Sequence, residues 1–155
     1  MARRSYSEQV RQRIIKPYER SGKSWPATAH EIAEWALQNR LWDAHPSIVL
    51  NQCADEIARA MREEVVTDPQ GRRVRAKHVA NIRRDGKQLP LWDDIRRADR
   101  EHMQIAFQQR RQQIVGDCRQ LKVDVDSYND NRNRAQPIQM IFDFTLDLAE
   151  LEAAA

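Results

Sequence analysis

Residues 65–79, VVTDPQGRRVRAKHV, interrupt an otherwise helical sequence, and that interruption limits the possible folds more than any other feature. On either side, apolar residues recur every three or four positions, the spacing of an amphipathic helix. Here β-branched valines flank Asp68-Pro69-Gln70-Gly71, which has proline and glycine at the second and fourth positions that a type I turn favours. A hairpin closed by this turn sets Thr67 opposite Arg72, Val66 opposite Arg73 and Val65 opposite Val74. Because strand side chains alternate, Val74, Ala76 and His78 then share one side, and Arg73, Arg75 and Lys77 the other. One side can pack on helices while the other presents three cations.

The stretches before the hairpin read as three helices. From Ser7, SEQVRQRIIKPYERSG places Val10, Ile14 and Ile15 on helical spacing, with Pro17 expected to kink or shorten the element. Thr28 and Glu31 have the spacing of a capping box, so a second helix starts there, with Ile32, Trp35 and Ala36 on its apolar face. A third follows Pro46, and its stripe of Leu50, Cys53, Ala54, Ile57, Ala58 and Met61 is expected to pack into a compact three-helix unit. After the hairpin, Leu91 to Ser127 reads as one long helix. Ile114, Cys118, Leu121, Val125 and Tyr128 alternate spacings of four and three along it, the seam of a coiled coil. A last helix is expected after Pro137, with Ile138, Ile141, Phe144, Leu148 and Leu151 on one face.

Charge is arranged in blocks. Residues 72–87 carry seven basic groups against one acidic, whereas residues 31–71 carry three against eight. A basic block between acidic ones can serve an anionic partner or be neutralised within the chain, and both readings stand at this point. Hydrophobic residues make up 41% and charged residues 32%, a folded rather than disordered composition, and only 4 glycines and 6 prolines favour helices. No run of eighteen apolar residues exists and the first ten residues have no apolar core, so neither a membrane span nor a secretory signal is expected. A cytoplasmic, nucleoid-associated or nuclear protein is the corresponding expectation.

The order helix, helix opening with T-x-x-E-I-A at Thr28 to Ala33, helix, then basic hairpin resembles a winged-helix domain, and within that superfamily it is similar to the HARE-HTH type. The resemblance implies a mostly α chain: a winged helix of three helices plus a β-hairpin wing over residues 5–88, then a long helix and a shorter C-terminal helix over 89–155. It also implies binding to double-stranded DNA, with Ser47, Asn51, Gln52, Asp55 and Arg59 of the third helix toward bases. Arg72, Arg73, Arg75 and Lys77 of the wing, joined by Arg83 and Arg84, would lie on phosphates. The acidic groups Asp55, Glu56, Glu63 and Glu64 repel phosphate, which favours docking led by the wing. Arg3, Arg4, Arg11 and Arg13 fit either a second basic arm or a solubilising tail.

Other chemistries find little support. His30-Glu31 lacks the second histidine of a zinc helix, and the stretch from Asp124 lacks the glycine and final glutamate of a calcium loop, so no metal or other cofactor is expected. No nucleophile motif or phosphate loop occurs, and the chain does not read as an enzyme. Cys53 and Cys118 read as small buried hydrophobes, and the four tryptophans as packing residues. The long-helix seam, Ile114 to Tyr128, reads as a homodimer interface. The role that fits these parts is a dimeric transcriptional regulator or DNA accessory protein; a protein-interaction module on a winged-helix scaffold and an RNA or single-strand binder are the alternatives.

Overall fold

The computed structural model describes residues 5–155. The chain is mostly helical, with two small antiparallel hairpins, and it divides into two compact units, one ending at Ile57 and one beginning at Ala58.

The first unit opens with α1 (Tyr6–Val10), a π-helical turn (Arg11–Ile15) and α2 (Lys16–Arg20). Pro17 has no N–H to donate. The backbone adjusts to it by widening one turn, in which the Lys16 N–H bonds to the Arg11 carbonyl, instead of breaking the helix. Helix α3 (Ala29–Gln38) starts where the capping box predicts: Thr28 Oγ1 accepts from the Glu31 N–H at 3.0 Å, and Glu31 Oε2 accepts from the Thr28 N–H at 2.6 Å. Tyr18 is buried, with Trp25 and Trp35 meeting its ring edge-on at 5.5 and 5.3 Å. Trp42 donates its indole N–H to the Tyr6 hydroxyl. Trp25 is itself half-exposed, so it covers Tyr18 from outside.

Helix α4 (Ile48–Glu63) forms where expected, but its apolar stripe is not the inner wall of a three-helix core. Leu50 is 72% exposed and Ile57 53%; Cys53 and Ala54 are exposed as well, and only Ala58 and Met61 are half-buried. Periodicity reports that a helix has an apolar face, not that something covers it. Neither cysteine is buried: Cys53 is exposed and Cys118 half-covered.

In the second unit, β1 (Val65–Thr67) and β2 (Arg73–Arg75) form the expected hairpin with the register moved by one residue. Val65 faces Arg75, Val66 faces Val74 and Thr67 faces Arg73. The turn bond from the Gly71 N–H to the Asp68 carbonyl is present at 2.9 Å, but Gly71 takes a left-handed φ of 85° and adds a residue to the loop. Asp68 then bonds across to Arg72, the three-residue loop that a type I turn with a left-handed glycine produces. The alternation along the second strand holds: Arg73 and Arg75 are exposed, Val74 is half-buried, and Ala76 and His78 are buried.

The larger departure is a second hairpin where the start of the long helix was expected. Strands β3 (Lys77–Arg84) and β4 (Lys87–Asp94) pair antiparallel around Asp85-Gly86, both with positive φ, as a two-residue type I′ turn requires. Helix α5 runs from Arg100 to Asn131, not from Leu91, and Asp99 caps it by accepting from the His102 N–H at 2.8 Å. It lies along β3. Gln109 donates to the Asn81 carbonyl at 2.9 Å and accepts from the Asn81 N–H at 2.8 Å, while His102 Nε2 donates to the His78 carbonyl. Asn81 faces Pro90 across the ladder, and these bonds satisfy the strand edge that β4 leaves open.

Buried Ala80 and Ala106 sit in this second unit, one on β3 and one on α5. Asn129 clamps the returning chain by two bonds to Ile138, and the last helix, α6, is confined to Thr145–Ala153. The expected helical face from Ile138 is therefore not formed as one element. Ile138, Ile141, Phe144, Leu148 and Leu151 are all exposed.

Candidate nucleic-acid interface

The basic block is partly neutralised within the chain, and the structure separates the two kinds of cation. Arg72 Nε donates to Asp68 Oδ2 at 2.7 Å, inside the hairpin loop, and that bond holds the Asp68 carboxyl below its usual range. Lys77 is the most engaged. Its side chain is 23% exposed, and its ammonium donates to Asp94 at 2.8 Å and lies 3.2 Å from Glu64. Asp94 first, then Glu64, raises its pKa. Asp94 also accepts from Arg96, which together with Lys77 keeps this buried carboxyl far below the ordinary carboxylate range. Lys77 thus fastens the β2–β3 junction to the end of β4.

Arg73, Arg75, Arg83 and Arg84 are exposed, and among the described residues none of them forms an ion pair. Arg73 only touches Thr67 Oγ1, at 3.4 Å. Arg83 and Arg84 end β3 beside the Asp85-Gly86 turn, so the tight turn projects them. Two hairpins, not one wing, therefore carry unanswered positive charge.

The α4 residues form a separate set. Asn51 donates to Ser47 Oγ at 3.2 Å and Gln52 to Glu56 at 3.3 Å; Asn51, Gln52, Asp55 and Arg59 are exposed, and Ser47 is half-buried. Of the N-terminal cations, Arg11 is paired with Glu8, while Arg3 and Arg4 lie outside the described residues. Along α5, Ile114, Leu121 and Tyr128 are about half exposed and Cys118 and Val125 are partly covered.

The chain matches no protein-family model, no curated protein and no solved structure. Among the described residues, no helix is long and apolar enough to cross a membrane. Arg62 and Arg110 lie outside the contact residues expected from the sequence, and Trp92 was expected only to pack; the second unit brings all three to one cleft.

Proposed function

We propose that the chain binds double-stranded DNA, with the cations of both hairpins on the phosphate backbone, as a transcriptional regulator or DNA accessory protein. The observation that carries this reading is the set of Arg73, Arg75, Arg83 and Arg84, exposed and without carboxylate partners. Cations left unpaired on projecting ribbons suit phosphates, whose condensed counterions they release. Lys77 and Arg72 carry little of this proposal because their charges are already met. The order of helices and the hairpin after α4 are compatible with a winged helix, in which Ser47, Asn51, Gln52 and Arg59 would be a further contact.

The test is a titration of labelled duplex at two salt concentrations. Replacing Arg73, Arg75, Arg83 and Arg84 together with Ala should lower the dependence of log affinity on log salt by roughly three to four, since each phosphate contact contributes about 0.9. An unchanged slope sinks the proposal.

We further propose that two copies pair through the α5 seam. Ile114, Leu121 and Tyr128 lie half-exposed at a constant spacing of seven, a row that a second helix covers in coiled coils. Light scattering on Leu121→Asp should report the monomer mass where the parent chain reports twice that; equal masses for the two would end the dimer reading.

A protein partner is the second reading, favoured by the exposed Val49, Leu50 and Ile57 of α4. It predicts that the quadruple arginine variant behaves like the parent chain toward duplex.

A further inference from the structure

A cleft of about 360 Å³ opens between β3 and α5, a volume in the range of small-molecule sites. Three guanidinium groups line it: Arg62 from the end of α4, Arg75 from β2 and Arg110 from α5. None of the three is ion-paired among the described residues. Lys77 also reaches the lining, but Asp94 and Glu64 already balance it. The one unengaged carboxylate is Asp117, so the cleft carries two positive charges in excess.

Hydrogen bonds anchor the strand and the helix that carry Arg75 and Arg110. His78, buried, donates from Nε2 to the Arg75 carbonyl at 2.9 Å, and the edge of its ring meets Phe107 of α5. Arg110 follows Gln109, which is bonded twice to the Asn81 backbone. Arg62 lies over the Trp92 ring at 5.7 Å, which gives the cleft a flat cationic wall. Loss of surrounding water, then repulsion from Arg75, lowers the Arg110 pKa, though it stays a cation at neutral pH. Like charges held close on a rigid frame cost free energy unless an anion answers them.

The geometry points to a binding site for the phosphomonoester of a small molecule, its phosphate held between Arg75 and Arg110 and its body along Arg62 and Trp92. A phosphomonoester carries about −1.5 to −2 at neutral pH, which matches the excess, and guanidinium forks suit its oxygens. This site goes beyond the duplex-binding reading and shares only Arg75 with it.

The test is calorimetric titration of the full chain with adenosine 5′-monophosphate and with adenosine. The monophosphate should bind and adenosine should not. Arg110→Gln, at an exposed helix position that leaves the fold intact, should weaken the monophosphate about tenfold, as loss of one charge-assisted contact does. Arg62→Gln provides a second variant with the same expected direction. Arg83→Ala with Arg84→Ala, outside the cleft, should leave monophosphate binding unchanged even where it abolishes duplex binding. Equal binding of adenosine and its monophosphate, no binding of either, or full affinity in Arg110→Gln would each overturn the site.

Discussion

Replacing Asp94 with Asn should lower the melting temperature of the second unit by more than about 5 °C at neutral pH, and the deficit should shrink in acid. The carboxylate accepts from Lys77 at 2.8 Å and from Arg96 Nε and Nη2 at 2.9 and 2.7 Å, and also from the Arg96 backbone N–H. It is buried at the end of β4, directly opposite Lys77 in the ladder. An Asn side chain offers one acceptor oxygen and turns two N–H donors toward groups that are themselves donors. Lys77 would keep only Glu64, and a half-buried ammonium without its main partner costs more than the pair was worth.

The sign of the pH effect follows from the depressed folded-state pKa of Asp94, set first by Arg96 and then by Lys77. The ionic contribution is complete above the unfolded value of 3.8 and declines as pH falls from there toward the folded value. Asn does not titrate. Melting curves of the two proteins at about pH 7 and about pH 2.5 should therefore lie closer together at the lower pH without meeting, since the folded-state value lies lower still. A deficit of the same size at both would locate the damage in packing instead of charge.

That network also marks where reading along the sequence stops. Local devices were legible because their partners lie within one turn. The capping box at Thr28 and Glu31 formed as spaced, the turn at Asp68-Gly71 closed, and the alternation from Arg73 to His78 placed its cations outward. Lys77 belonged to that same outward set, yet Glu64 and Asp94 hold it, at separations of 13 and 17 residues. Alternation fixes a direction and says nothing of what has folded up beside it.

The second hairpin has a signal in the sequence that the reading of a long helix left unused. Asp85-Gly86 between HVANIRR and KQLPLWDD is a strong short-range mark of a type I′ turn, but Pro90 and Trp92 read as the opening of a helix. Pro90 is tolerated in β4 because the Asn81 groups opposite it point outward to Gln109, so no ladder bond is lost. The cleft was illegible for a related reason. Arg62, Arg75 and Arg110 come from three elements, and only the placement of α5 on β3 brings them together. In α4 the helix was legible and its surroundings were not: the stripe at Leu50 and Ile57 meets nothing that its period could specify.

Ala80→Leu tests that placement of α5. Ala80 is fully buried on β3 and Ala106 nearly so on α5, and small side chains there allow the helix to approach near enough for Gln109 to reach both backbone groups of Asn81. Leucine adds three carbons where no space is open, and overpacking of this kind costs about 1–3 kcal/mol. Urea unfolding should show a lower midpoint with an unchanged slope, the mark of lost stability without a changed denatured state. The same displacement would carry Arg110 away from Arg75, so binding of adenosine 5′-monophosphate should fall at protein concentrations and temperatures where the variant is still folded. Duplex binding, which depends on the exposed hairpin arginines, should fall much less. A leucine that lowers the midpoint yet leaves the monophosphate affinity intact would mean that the cleft does not depend on how closely α5 sits on the strand.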